Sequence, residues 1–247
     1  MNTTSARVGW ALCGLHMILH TTFAFGQNER TYEGITEPVA DATLSVPVTG
    51  IIAKQIYREG DAVPKGEVIL ELDKRREEME VLRQTTLHES LKKDLERTRK
   101  LFDTTKAVSQ EELDQKTAAV KVAEADLAIA QVDLGRRQLV APFSGVLADL
   151  FGKEEGEGVE LQAPLARLVD TSRCVFVCNL PDSAVVAVKK GDAVEVLIGE
   201  GEPIRGTVVF ISPVIDPSSS LVEVKAVFEN RQNRVRPGAS GQIHFVK

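Results

Sequence analysis

Aromatic and sulfur-bearing side chains are scarce in this 247-residue chain. Phe, Trp and Tyr together make up 5%, with one tryptophan, and there are three cysteines, three methionines and four histidines. Each shortage excludes something. Met79 is the only methionine beyond residue 26, so a methionine-based copper site has no ligands to build from. No CxxC is present. Cys174 and Cys178, in "CVFVC", lie four residues apart. In a strand that places them on one face about 13 Å apart, and a disulfide needs Cα atoms within about 7 Å. They read as two small apolar side chains of one strand face. His88 and His244 share no ligand set with them.

Basic runs are also missing, and the formal charge is −6. That argues against nucleic acid as a partner, because phosphate is neutralised by clustered Lys and Arg. GxSxG, HExxH and P-loop motifs are absent. The Gly-rich "KGDAVEVLIGEGEPIRG" lacks a strand–GxGxxG–helix context and reads as turns between strands. Glu77-Glu78 and Glu111-Glu112 fall in helical sequence, where a solvated face is the expected role; acid–base carboxylates need a cleft that shifts their pKa. The residues thus point to a protein that is not an enzyme, with no catalytic residue, no cofactor and no metal.

The N-terminus carries a targeting signal. Arg7 precedes the apolar "VGWALCGLHMIL", Val8 to Leu19, and Ala24-Phe25-Gly26 supplies small residues at the −3 and −1 positions. Residues 1–26 read as a signal peptide. A retained anchor is the alternative, although a span needs about 20 largely apolar residues and His16 and His20 interrupt the run.

Two stretches of the remaining sequence resemble each other. "VPVTGIIAKQIYREGDAVPKGEVILELD" (46–73) aligns with "APFSGVLADLFGKEEGEGVELQAPLARLVD" (141–170), matching Pro47-x-x-Gly50 to Pro142-x-x-Gly145 and Gly60-Asp61 to Gly156-Glu157. "GIIAKQI" and "EVILELD" predict strands, with "EGDAVPKG" as the turn between them. Neither half can bury a core alone; facing each other, they can form a flattened β-sandwich.

Between the halves, residues 75–138 lack proline, and glycine is absent until Gly135. Good helix formers dominate. Leu113, Val120, Leu127 and Leu134 recur every seven residues with Ala123 and Ala130 between them, which predicts a seam with small residues for close approach. Leu87, Leu91, Leu95 and Phe102 predict the matching stripe on a first helix. Ser109 with Glu112 three residues on is a capping box, so a second helix starts there. The polar Asp103-Thr104-Thr105-Lys106 ends the first, placing the turn at 103–108. After Asp170, "CVFVCNL", "AVEVLIG", "IRGTVVFISPVI", "LVEVKAVFE" and "SGQIHFV" alternate with turn signals and predict a small antiparallel barrel or sandwich. "TYEGITE" (31–37) adds a strand from the N-terminal side.

A split biotinyl/lipoyl-like domain interrupted by a helical hairpin, followed by a small β-barrel and preceded by an export signal, resembles the membrane fusion protein family, the periplasmic adaptors of tripartite efflux and secretion pumps. The blocks that carry the resemblance are 46–73, "APFSGVLADLFGKEEGEGV" and "VRPGASGQIHF". The fold expected is mainly β with a long α-helical coiled-coil hairpin. Its parts are a strand at 27–42 joining the barrel, lipoyl-like halves at 43–74 and 140–170, a hairpin at 75–139 and a β-barrel at 171–247.

The resemblance further implies a periplasmic location, an inner-membrane transporter and an outer-membrane channel as partners, and a homo-oligomeric ring. A resistance-nodulation-division pump is the implied transporter, with an ABC exporter or an isolated periplasmic binding module as alternatives. Many pump adaptors carry a hairpin-tip set resembling Arg-x3-Leu-x6-Ser that contacts the channel. Arg97, Leu101 and Ser109 resemble it, with seven rather than six residues between Leu101 and Ser109. Pairing Phe102 with Ser109 restores six but puts Thr98 in place of the arginine. A carrier would present its modified lysine at the turn between the halves; the hairpin occupies that turn, so carrier function is not expected. Longer adaptors add a membrane-proximal domain, and none is expected before the end at Lys247.

Overall fold

The computed structural model describes residues 31–151 and 154–246. The expected signal peptide, residues 1–26, lies outside them. The chain opens with a long strand, β1 (Thr31–Ser45), followed by β2 (Gly50–Gln55), β3 (Ala62–Val63) and β4 (Val68–Leu72). Two helices come next, α1 (Arg75–Thr105) and α2 (Gln110–Gly135). Then come β5 (Gln138–Val140), β6 (Gly145–Asp149), β7 (Gly158–Val159) and the second long strand, β8 (Pro164–Pro181). A short helix, α3 (Asp182–Val185), leads to β9 (Ala193–Ile198), β10 (Ile204–Ile211), β11 (Leu221–Glu229) and β12 (Ser240–Phe245).

The internal repeat becomes an interlocked sandwich. β2 of the first half pairs with β7 of the second, Gly50 opposite Val159, and β3 pairs with β6, Ala62 opposite Val146. Each half therefore completes the other's sheet. One sheet runs β5-β4-β2-β7; on the other side β3 and β6 continue onto β8. Between them Ile52, Ile69, Leu72, Leu147, Leu165 and Leu168 are buried in one apolar cluster. Gly145, one of the repeated glycines, lies where a Cβ would come 2.7 Å from the Val169 carbonyl oxygen. Close strand approach accounts for that glycine.

The C-terminal strands close into a six-stranded barrel. The order is β1-β12-β9-β10-β11-β8, and β1 pairs back onto β8. Alternation fills the interior: Val222, Val224, Ala226 and Phe228 point inward from β11, and Cys174, Phe176, Cys178 and Leu180 from β8. Both cysteines are free and buried, as two apolar side chains of one strand face. Phe176 occupies the space left by a glycine: a Cβ on Gly34 would press on the Val177 carbonyl and lie 2.7 Å from the Phe176 ring. Full burial of Phe176 and Phe228 contributes about 1.5–3 kcal/mol each.

β1 and β8 belong to both bodies. The Gly34–Pro38 stretch pairs with Cys178–Cys174 in the barrel, and Ala40–Ser45 pairs with Asp170–Pro164 beside the sandwich. The junctions placed at 42/43 and 170/171 fall inside these continuous strands. A register shift between Pro38 and Ala40 marks the change of body, as expected where a proline cannot donate to the ladder. Asp41 and Arg167 form an ion pair across the shared ladder, Nε to Oδ1 at 3.0 Å.

Candidate functional site

The helical hairpin sets the site. At 1.5 Å per residue its 31-residue and 26-residue arms extend about 46 and 39 Å. The α2 seam is the one the seven-residue spacing predicts: Leu113, Val120, Leu127 and Leu134 are partly buried, and Ala123 and Ala130 fully so. On α1 the prediction needs correction. Leu91, Leu95 and Phe102 face inward, but Leu87 is 42% exposed. Successive four-residue steps drift about 40° each around a helix, so a seam must alternate three and four. Three residues before Leu91 is His88, and the inward face continues through Gln84, Val81 and Glu77. Gln84 donates from Nε2 to Glu80 Oε1 at 2.9 Å, and its own Oε1 is buried with no partner among the described residues.

Lys116 reaches across the hairpin to Asp94, Nζ to Oδ2 at 2.6 Å. The Lys116 ammonium holds the Asp94 carboxyl below its usual range, and the carboxylate raises the Lys116 amine in return. This pair registers the two arms against each other.

At the free end, α1 runs further than its polar sequence suggests. Thr104 and Thr105 donate their hydroxyls back to the carbonyls of Lys100 and Leu101, at 2.7 and 2.8 Å, so they remain helical. The turn is therefore Lys106–Ser109 rather than 103–108. Lys106 takes a left-handed conformation, φ 54, that stops the helix. Its ammonium sits 4.4 Å from the centre of the Phe102 ring, a cation–π contact that folds the side chain over the turn. Ser109 is extended, and its hydroxyl accepts from the Glu112 amide at 3.1 Å. This is the cap half of the predicted capping box. No return bond from the Glu112 carboxylate to the Ser109 amide forms among the described residues.

The three tip residues are thus placed as follows. Arg97 and Leu101 lie one turn apart on an exposed face of α1, with Leu101 48% exposed. Ser109 lies across the turn with its hydroxyl committed to the cap. An exposed leucine at the end of a 46 Å arm, flanked by a fixed turn and an exposed guanidinium, can bind a surface.

The base of the hairpin carries a device that periodicity did not reveal. The Arg137 guanidinium donates from Nη1 to the Thr49 carbonyl and from Nη2 to Glu77 Oε1, both at 2.8 Å. It ties the start of α1, the end of α2 and the strand leading into β2 to one group. Next to it, Glu71 accepts from Lys74 at 2.7 Å and from Gln138 at 2.9 Å, and these lower its pKa, Lys74 most. The sequence signal for Arg137 was only an Arg-Arg pair after the helix-ending Gly135. Gln138 and Leu139, taken as the end of the hairpin, belong to strand β5 (Gln138–Val140).

Elsewhere the chemistry is sparse. Burial pushes the Cys178 thiol up to about 12, so it is not a nucleophile at neutral pH. Among the described residues no group of three or more His, Cys, Asp or Glu is arranged to hold a metal ion. No described helix is long and apolar enough to cross a membrane.

Comparisons with known proteins fit this geometry. Residues 176–247 match the family model described as a CusB-like, beta-barrel domain. The chain is 26% identical over 227 residues to the solvent efflux pump periplasmic linker SrpA of Pseudomonas putida, covering 83% of this chain and 58% of that protein. Among solved structures it resembles a MacA–MexA chimera containing the Pseudomonas aeruginosa MexA α-hairpin. The TM-score there is 0.73 at 18% identity, over 88% of this chain and 80% of that one. It also resembles the membrane fusion protein Spr0693 of Streptococcus pneumoniae, with a TM-score of 0.67 at 12% identity, over 88% and 99%. The chain spans 51–58% of the length of the first curated relatives it matches.

Proposed function

We propose that this chain, which belongs to the membrane fusion protein family, acts in the periplasm as an adaptor between an inner-membrane transporter and an outer-membrane channel for the efflux of small molecules. The observation that carries this reading is the hairpin. A rigid two-helix arm, fixed at its base by Arg137 and registered by Lys116 and Asp94, ends in an exposed apolar tip. Such an arm spans distance and makes contact at its end. The sandwich and barrel, joined by two continuous strands, form the body from which it projects.

Arg97, Leu101 and Ser109 are assigned to channel contact, Leu101 as the apolar anchor and Arg97 as the charged partner beside it. Ser109 serves as the cap that sets the turn. A resistance-nodulation-division pump is the assigned transporter; the tip set and the solvent and toluene efflux linkers among the relatives support it. Several copies are assigned to a ring, in which individually weak contacts gain strength by multivalency.

The test is substrate efflux in cells whose only copy is Leu101→Asp or Arg97→Asp. Leu101 and Arg97 are exposed, so both variants should fold and accumulate normally while efflux is lost. Normal efflux by both would overturn the docking assignment.

A further inference from the structure

One end of the barrel gathers apolar side chains that no described residue covers. The strand register fixes which end. Leu221, the first residue of β11, lies opposite Pro181, the last of β8, so α3 and the β10–β11 loop, residues 212–220, leave the barrel together. Phe245 lies opposite Val194, and Thr31 opposite His244, so the start of β1 and the end of β12 are at this end too. The sandwich is attached at the other end, where Cys174 pairs with Pro38 and Arg173 with Glu229. At the free end Val186 is 80% exposed, Val214 67%, Ile215 45% and Val246 46%. These residues come from three separate segments of the chain, and large exposed aliphatic groups collected at one place mark a contact surface.

The exposure of Val214 and Ile215 is built in by local bonds. The Ser212 hydroxyl accepts from the Val214 amide at 3.2 Å and donates to the Val214 carbonyl at 2.8 Å. Asp216 Oδ1 accepts from the Ser218 and Ser219 amides at 2.7 and 2.9 Å. The loop thus satisfies its own backbone on both sides of two aliphatic residues and leaves their side chains outside. Beside it the chain turns through the exposed Lys189 and Lys190, held against β10 by the Gly191 amide donating to the Val208 carbonyl at 2.8 Å. Aliphatic groups flanked by lysines suit the interface of a bilayer: the apolar side chains enter the acyl boundary while the ammonium groups stay among the phosphates.

We infer that this end of the barrel rests directly on a lipid surface, the periplasmic leaflet of the inner membrane, with Val186, Val214 and Ile215 entering it and Lys189 and Lys190 at the headgroups. The path of the chain selects lipid as the occupant. Thr31 opens β1 at this same end, and eleven residues, 20–30, separate it from the apolar run Val8–Leu19. Eleven residues reach at most about 40 Å. On the export-signal reading that run sits in the inner membrane during export, so the barrel folds with this end tethered nearest the bilayer, whether residues 1–26 are then kept or removed. The contact is peripheral, since no described helix is long and apolar enough to cross. The inference rests on the periplasmic location in the adaptor reading and adds an orientation to it: the sandwich, and the hairpin attached to it, lie on the side of the barrel away from the lipid.

The experiment uses the full chain carrying Cys13→Ser; Cys174 and Cys178 are buried and do not compete for label. One added cysteine, Val186→Cys, Val214→Cys or, at the opposite end of the barrel, Arg234→Cys, carries an environment-sensitive fluorophore. Protein-free vesicles of phosphatidylethanolamine with about a quarter phosphatidylglycerol are added, with and without a spin-labelled lipid as quencher. The apolar run at residues 8–19 can hold the chain on vesicles by itself, so the readout is local burial rather than binding. Probes at 186 and 214 should shift to the blue and lose at least about half their emission to the quencher, and the probe at 234 should do neither. Lys189→Glu with Lys190→Glu should weaken the phosphatidylglycerol-dependent part of the signal about fivefold or more. Equal, water-exposed signals at 214 and 234 on vesicle-bound chain would overturn the inference. So would a probe at 214 that stays wet on these vesicles and becomes dry only in native membranes, because a protein would then cover this end. Either result leaves the adaptor function standing, since the tip crosslink from position 101 tests that separately.

Discussion

Replacing Arg137 by Met tests whether the hairpin is held at its base. The side chain keeps an unbranched apolar stem but loses the guanidinium. Two hydrogen bonds from a charged donor disappear, to the Thr49 carbonyl and to Glu77. Such bonds are worth about 1.5–3 kcal/mol each. Arg137 and Glu77 are 23% and 14% exposed, so water recovers part of that loss, but Glu77 is left largely buried without its counter-charge. The expected destabilisation is about 2–3 kcal/mol. Glu77→Gln should cost less, and the double variant should reveal a coupling of about 1–2 kcal/mol between the two positions. Urea unfolding of the four proteins gives the cycle. Amide exchange should quicken in the first turns of α1 and at residues 49–52, with little change at the tip. Additive effects, or an Arg137→Met protein within about 0.5 kcal/mol of wild type, would refute the idea that one guanidinium locks the arm to the sandwich.

Ser109→Ala should lower stability by about 1 kcal/mol through loss of the cap, measured by thermal or urea unfolding; an unchanged midpoint would mean that Ser109 has no capping role. Asp41 has its pKa lowered, chiefly by the Arg167 hydrogen bond. Its stabilising contribution is therefore present above the unfolded value near 3.8 and lost as pH falls through the lower folded value. Asp41→Asn should be less stable than wild type at pH 7, and the gap in urea midpoint should narrow below about pH 4; a gap that widens on acidification would contradict the assignment.

Much of the architecture was legible because it depends on local pattern. The Pro-x-x-Gly repeat located the two halves of the sandwich, and turn residues separated the barrel strands. Seven-residue spacing located the α2 seam. What was not legible depends on partners distant in sequence or on small local bonds. The tie from Glu77 to Arg137 joins residues 60 positions apart and has no periodicity. The α1 seam includes Gln84, His88 and Thr98, polar residues that a search for leucines passes over; Leu87 drew attention and faces solvent. Thr104 and Thr105 read as helix-ending residues until their hydroxyls are seen to bond within the last turn. The boundary between sandwich and barrel was placed at 170/171, yet β8 runs straight through it and pairs with β1 on both sides of a register shift. At the candidate site, exposure of Leu101 and the cap at Ser109 are both structural findings, whereas the grouping of Arg97, Leu101 and Ser109 came from a motif resemblance.

The proposed adaptor role requires the hairpin tip to contact an outer-membrane channel. A photo-crosslinking residue at position 101, activated in intact cells that are actively exporting, tests it most directly. The same probe at Leu87, exposed but about 20 Å back along the helix, is the internal control. Capture of an outer-membrane channel protein from position 101 and not from position 87, identified by mass spectrometry, is the predicted result. Absence of any outer-membrane product from position 101, in cells where the protein is folded and efflux is running, would contradict it.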